Sequence, residues 1–260
     1  MSMLSADIAG IGFWTRGLPS WAAACAYLHD GRIDESAPAK PAPRLLAANE
    51  RRRAPETVAV ALEVALAACE YAGKDPADLP SVFASMHGDL PITDYMCATL
   101  NEDPRAISPT KFHNSVHNAA AGYWTIGAGC TRPATALSSG DASFAMGLLE
   151  ALAQLGAGDP AVLLAAYDSQ ATGPLGVITV SHNLLGGALL LAQPGDAALA
   201  RLQVEFVDAP VPLAAGKLAA HVGANAMAPM LPLFDALATG AGEVWLHAGP
   251  SQALRVQITR

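Results

Sequence analysis

Residues 133–167 read PATALSSGDASFAMGLLEALAQLGAGDPAVLLAAY. Pro133 to Ser138 has the short β-prone character of a strand, and Ser139-Gly140-Asp141 reads as a sharp turn. Ala142 to Leu155 places apolar residues at helical spacing, and Ala161 to Tyr167 is an unbroken apolar run of the kind a fully buried strand requires. Strand, tight turn, helix and strand in succession define an α/β unit, and such a turn is where this architecture mounts a reactive side chain or an anion site. Asp141 therefore becomes the centre of interest. Gly140 supplies the backbone freedom for the turn, and Asp141 is expected to cap the next helix.

The same alternation extends outward. Asp7 to Trp14 (DIAGIGFW) predicts a glycine-interrupted strand, followed by a helix around Trp21 to His29 and a proline-rich surface loop from Ser36 to Pro43. Glu56 to Ala72 has helical spacing, Pro80 to Ser85 is a short buried strand, and His87-Gly88-Asp89 marks its end. Leu90 to Leu100 predicts a helix, Asp103 to Phe112 a loop, and Asn118 to Gly127 (NAAAGYWTIG) a helix of small residues able to pack closely. Gly187 to Ala192 and Leu202 to Asp208 read as paired strands, Ala214 to Leu237 as a helical stretch, and Glu243 to His247 with Ala253 to Ile258 as a terminal hairpin.

The chain has 260 residues, enough for one α/β body with a large core. It is 52% hydrophobic and 15% charged, with a mean hydropathy of +0.29. That composition is too apolar for disorder and points to buried helices or an extensive interface, which argues for an oligomer. Apolar stretches such as Val58 to Cys69 and Leu184 to Ala192 are too short for the roughly 20 residues of a bilayer span. The N-terminus has no basic segment followed by a long apolar one, so a cytoplasmic location is expected.

The net charge of −8 argues against a nucleic-acid surface. The one basic run, Arg51-Arg52-Arg53, is expected to start a helix as a solvated or ion-pairing face, with a site for an acidic carrier protein as the other possibility. Cys25, Cys69, Cys97 and Cys130 are widely spaced without a CxxC pair and read as small buried hydrophobes. His113 and His117 stand four apart, but Asn114-Ser115-Val116 between them is a poor helix and no third ligand accompanies them, so no metal or cofactor is expected.

Several of these segments resemble the β-ketoacyl-ACP synthases of the thiolase superfamily. Ile107-Ser108-Pro109, then Val116-His117-Asn118-Ala119-Ala120-Ala121-Gly122, then Pro133, are similar to the stretch that precedes the family's active-site cysteine. Gly158-Asp159 resembles a later landmark, Ile8-Ala9-Gly10-Ile11-Gly12 the opening strand, Gly173-Pro174-Leu175-Gly176 a loop after the nucleophile helix, and Gly186-Gly187-Ala188-Leu189-Leu190-Leu191 the strand closing the N-terminal half. Counting without gaps from Pro133 or from Gly158-Asp159 puts Asp141 at the nucleophile. A rival register, Thr135-Ala136-Leu137-Ser138-Ser139-Gly140 against the family's Thr-Ala-Cys-Ala-Ser-Gly, puts Leu137 there and needs compensating gaps. Either way the cysteine is missing.

The resemblance implies a thiolase-like layered α/β fold with an N-terminal half largely complete over 1–192 and a strongly truncated C-terminal remnant over 193–260 packed into the same body. Lys217, His221 and Gly223-Ala224 are faintly similar to the family's lysine and second histidine motif, and Gly249-Pro250-Ser251 to its terminal hairpin. The first catalytic histidine has no counterpart. Asn114 to Asn118, the Gly140 to Phe144 turn and Tyr167-Asp168 look like the short chain-length-factor-like subunits of aryl polyene and related pigment clusters.

The implied role is an auxiliary subunit without catalysis of its own, paired as a heterodimer with an active β-ketoacyl-ACP synthase and served by an acyl carrier protein. The resemblance puts Phe112, His113, His117, Asn118, Tyr123 and Trp124 near the dimer contact and the partner's acyl tunnel. The loop reading of His113, His117 and Asn118 as mere hydrogen-bonding residues stands beside it. Asp141 cannot form a thioester. Two other roles stay open: an enzyme using Asp141 with the possible relics His221 and Lys217, such as a malonyl-ACP decarboxylase or an acyltransferase, and a homodimeric acyl-binding scaffold.

Overall fold

A computed structural model describes residues 3–195, 198–212 and 216–260. Along the chain run β1 (Leu4–Thr15), α1 (Trp21–Asp30), α2 (Ala48–Arg53), α3 (Glu56–Tyr71), β2 (Ser81–Ala84), α4 (Leu90–Glu102), α5 (Pro109–Asn114), α6 (Ala119–Ala128), β3 (Ala134–Leu137), α7 (Ser143–Gly156) and β4 (Ala161–Asp168). Then come α8 (Leu175–Ile178), β5 (Leu185–Ala192), β6 (Ala200–Val207), α9 (Lys217–Val222), α10 (Leu231–Thr239), β7 (Glu243–Gly249) and β8 (Gln252–Thr259). The strands form one eight-stranded sheet in the order β3-β2-β4-β5-β1-β6-β8-β7. β2 lies parallel to β3 and β4, and the remaining pairs are antiparallel.

Helices cover both faces, and the two-residue period of the strands divides the core between them. On one face Val162, Leu164 and Ala166 of β4 pack with Phe144, Leu148 and Leu152 of α7 and with Leu233 and Phe234 of α10. On the other, Ala161, Leu163, Ala165 and Tyr167 pack with Val60, Val64 and Ala68 of α3 and with Trp124 of α6. All eight residues of β4 are buried, as its unbroken apolar run requires.

The expected pairing of the two strands after α8 does not form. β1 lies between them, matching Leu4–Ile8 to β6 and Asp7–Thr15 to β5. A strand of 12 residues is long enough to serve both neighbours. The buried Asp7 carboxylate holds the second junction, accepting from Arg201 Nε of β6 at 2.6 Å, and this guanidinium draws its pKa below the ordinary value. Residues from 200 onward thus extend the same sheet past β1.

Other expectations need correction. Asp103 to Phe112 is not all loop, because Ser108 caps α5 and Pro109 is pre-set for its first turn. The arginine run ends α2 instead of starting a helix, so its charges face the negative end of that helix's dipole. The stretch to Leu237 splits into α9 and α10, because Gly223 adopts φ +70° and Pro229 sits in a short 3₁₀ turn between them, while Pro232 falls in the first turn of α10; Ala214 lies outside the described residues. Cys69 and Cys130 are buried as expected, but Cys25 is half-buried and Cys97 exposed. Among the described residues no helix is long and apolar enough to cross a membrane.

The position of α3 depends on two glycines of β1. A Cβ on Gly10 would sit 2.0 Å from the Ala68 carbonyl oxygen, and one on Gly12 would sit 2.0 Å from that of Val64. Both obstacles are backbone, so no rotamer change relieves them. Gly12→Ala is expected to lower the unfolding free energy by about 3 kcal/mol through forced displacement of α3, read by chemical denaturation. An unchanged midpoint would show that the helix can retreat at little cost.

Candidate functional site

Three strand ends and the approach to α6 meet at one edge of the sheet. β2 ends in Ser85-Met86-His87-Gly88, β3 in Ser138-Ser139-Gly140-Asp141, β4 in Asp168, and the segment entering α6 brings His117. Their convergence comes from topology: β2, β3 and β4 are parallel neighbours, so their carboxyl ends lie together, where open α/β sheets place their sites.

Asp168 anchors the assembly. Its carboxylate, 1% exposed, accepts from Ser85 Oγ at 2.8 Å, from Met86 N at 2.8 Å and from His87 N at 3.3 Å. Ser85 Oγ in turn accepts from Gly88 N at 2.8 Å. His117 Nε2 lies 2.9 Å from the Ser85 carbonyl, and Ser138 Oγ donates to the Met86 carbonyl at 2.9 Å. The loop after β2 is therefore held by the ends of β3, β4 and the α6 approach together. Burial raises the Asp168 pKa from 3.8 to about 7, prevailing over the three donors that lower it. The His87 imidazole is pushed down by burial, against the opposing charge of Asp141, and its Nε2 is buried without a hydrogen-bond partner.

Asp141 itself is exposed and does not cap the helix. Gly140 turns the chain at φ +56°, Ala142 takes the cap position, and no side chain bonds the first amides. Ser143 closes the turn, its hydroxyl accepting from Ser139 N at 2.9 Å and donating to the Gly140 carbonyl at 2.6 Å. The turn thus presents an exposed carboxylate where the helix start would favour an anion. None of the four cysteines stands on the turn, and Leu137 is the half-buried last residue of β3.

Lys217 and His221 lie elsewhere. Lys217 Nζ donates to the Leu28 carbonyl at 2.9 Å, and His221 Nε2 lies 2.9 Å from the Arg16 carbonyl with its ring 4.9 Å from that of Tyr27. They hold α9 against α1 and the turn after β1. β1, whose following turn His221 contacts, stands four strand positions from β3, about 19 Å across the sheet at ordinary strand spacing.

The six residues placed near a tunnel or interface divide into three groups. Phe112, His113, Asn118 and Tyr123 line an open groove of about 690 Å³ between α5 and α6, together with Val116 and Ile126. Phe112 is 61% exposed and Ile126 76%. His117 turns from the groove toward the Ser85 loop, because α5 ends at Asn114 and the pair four apart never shares a helix. Trp124 is wholly buried against Phe83, with ring centroids 6.1 Å apart. No group of three or more possible metal ligands occurs among the described residues.

From the sequence, His87-Gly88-Asp89 is a site candidate only by its place at a strand end, Tyr167-Asp168 enters only through the family resemblance, and Ser85 is overlooked. The detectable signal was a polar residue directly after each buried apolar strand, since such a group needs a partner at the same edge.

The Asp168 pKa is raised, so the protonated form favours the fold: its contribution is complete below about pH 4 and is withdrawn as pH rises through about 7. Denaturant unfolding is expected to give lower stability near about pH 8 than near about pH 5. Asp168→Ala should cost about 3 kcal/mol at the lower pH by stranding three donors, and should flatten the slope. A pH slope surviving that substitution would place its origin elsewhere.

Comparison with known proteins agrees with this layout. The β-ketoacyl synthase N-terminal domain model matches residues 21–248. A structure of the ketosynthase ApeO in complex with its chain length factor ApeC from Xenorhabdus doucetiae aligns over 98% of this chain and 99% of the matched one, with a TM-score of 0.77 and 22% identity. The ishigamide ketosynthase/chain length factor aligns over 98% and 99%, with a TM-score of 0.70 and 16% identity. A β-ketoacyl synthase from Burkholderia phymatum aligns over 90% of this chain and 70% of its own, with a TM-score of 0.58 and 15% identity. No curated protein matches the chain by sequence. With the family model spanning most of the chain and the thiolase-like arrangement matched nearly end to end, the chain belongs to the β-ketoacyl synthase family, through its N-terminal domain.

Proposed function

We propose that this chain is a chain-length-factor-like subunit that performs no condensation itself, pairs with an active β-ketoacyl-ACP synthase, and shapes that partner's acyl tunnel in polyene or fatty-acid-type biosynthesis. The observation that carries the reading is Asp141 on the strand–turn–helix corner. Condensation needs a thiolate there to hold the acyl chain, and a carboxylate forms no stable thioester.

Two surface features support pairing. β3 is the terminal strand of the sheet, so among the described residues one row of its backbone groups has no neighbouring strand. α6 packs against β3, and the groove beside it exposes Phe112, Val116 and Ile126, an apolar patch suited to burial by another subunit. The small residues Ala119 and Gly122, half-buried at that groove, allow a partner's backbone to come close. Pairing with a chain length factor or with an acyl carrier protein is a feature of ketosynthase structures similar to this one, and it comes to this chain as part of the proposal.

A catalytic reading based on Asp141, His221 and Lys217 has the geometry against it, because Lys217 is bonded to the Leu28 carbonyl of α1 and His221 to the Arg16 carbonyl after β1. A homodimeric scaffold would use the same open edge.

Co-expression with a ketosynthase of an aryl-polyene-type system is expected to yield an equimolar complex by native mass spectrometry. A monomer indifferent to every candidate partner would refute pairing, and a stable homodimer would favour the scaffold. Within the complex, Phe112→Ala and Phe112→Trp should move the product chain-length distribution in opposite directions; identical products from both would remove Phe112 from the tunnel. The isolated chain should release no carbon dioxide from malonyl-ACP, and release abolished by His221→Ala would restore the enzyme reading.

A further inference from the structure

The loop between β4 and β5 holds aliphatic side chains outward on a rigid base. Buried Ser181 ties its two ends: the Oγ donates to the Ser169 carbonyl at 2.7 Å and accepts from Ala226 N at 3.0 Å, while Ala171 N donates to the Ser181 carbonyl at 2.9 Å. His182 N donates to the Ala224 carbonyl at 2.8 Å, and Asn225 Nδ2 to that of His182 at 3.0 Å. Gly173, at φ +64°, lies so close to α4 that a Cβ there would meet Asp94 Oδ1 at 2.0 Å. The tip therefore has a set direction, which a loose surface loop lacks.

From that base α8 and its flanks present Leu175, Val177, Ile178 and Val180 to solvent, with Val177 85% and Ile178 82% exposed. Residues 169–181 (SQATGPLGVITVS) contain no charged side chain, although charged residues make up 15% of the chain. Four ordered aliphatic side chains in water, with no charge among them, mark a surface that another body covers.

These side chains adjoin the pairing face. Arg53 and Thr110 line both the α5–α6 groove and the cleft whose other wall includes Ser169, Gln170 and Thr172, so the groove and the root of the loop meet across α5. α4, against which Gly173 rests, packs on α5. Area points the same way. A stable interface hides about 800 Å² of each partner. Phe112, Val116 and Ile126 of the groove supply less than about 600 Å², at roughly 200 Å² for each side chain fully bared. The loop more than doubles the number of exposed apolar side chains on that face. Its uncharged tip fits an apolar recess and offers nothing to an ion pair.

We propose that α8 and its loop form an apolar arm that seats in an apolar recess of the ketosynthase partner, so that the interface runs from the open edge of β3 across α5 to Val180. This rests on the pairing reading above and adds a second contact to it.

Hydrogen–deuterium exchange and native mass spectrometry of the full chain, alone and in the co-expressed complex with the ketosynthase, test it. The amides of residues 175–180 are expected to exchange at least about tenfold more slowly in the complex. Val177→Glu with Ile178→Glu should weaken the complex about 100-fold by removing two anchors. Because both side chains face solvent, the pair should leave the denaturation midpoint of the free chain unchanged. A complex whose 175–180 amides exchange as in the free chain, or that the double substitution leaves intact, would overturn the arm and leave the pairing reading standing. Absence of any complex would remove both. Protection arising only in a homodimer, or only on phosphatidylglycerol vesicles, would assign the arm to a second copy or to a membrane and likewise overturn the proposal.

Discussion

The close approach of α3 to β1, helix carbonyls against Gly10 and Gly12, governs the geometry of much of the molecule. β1 is paired on both edges, to β5 and to β6, so it cannot yield sideways. α3 is therefore held at backbone distance from the middle of the sheet, and Val60, Val64 and Ala68 on its inner face fill the layer shared with Phe83, Trp124 and Leu163. The start of α3 and the approach to α6 take their places from that packing. The α5–α6 groove depends on it.

At the carboxyl edge of the sheet, stability and potential function involve the same atoms. Asp168 carries a desolvation cost that its three donors offset only in part, yet it holds the loop after β2 against β3 and β4. Arg201 solves the equivalent problem for Asp7 with a charged partner, and that carboxyl stays low. Two buried aspartates of one sheet thus shift in opposite directions, because one meets a guanidinium and the other meets neutral amides and a hydroxyl. Asp141, exposed on its turn, faces solvent or a partner surface.

Much of the architecture was legible along the chain. The buried strand Ala161 to Asp168, the amphipathic α7, the turn at Gly140 and the terminal hairpin all carry local signals of period or turn chemistry. The errors arose where local signals compete or are silent. Asp141 was expected to cap α7, but the chain enters the helix one residue later and Ser143 closes the turn. β5 and β6 are consecutive strands with apolar faces, and nothing in either says that β1, far earlier in sequence, will separate them. The small-residue helix was visible, but Trp124 and Tyr123, adjacent in sequence, point one into the core and the other into the groove.

By itself the sequence determined the α/β class, the strand–turn–helix corner and the absence of a thiol there, since these rest on local periodicity, backbone freedom and residue chemistry. Only the tertiary structure decided which distant groups share a site. It joined Ser85, His117 and Asp168, which are separated by up to 83 residues, and it parted Lys217 and His221 from Asp141 by four strand positions. The physical reason is that hydrogen bonds and desolvation act over a few ångströms of space, and spatial neighbours across a sheet are set by strand order, which no local pattern encodes.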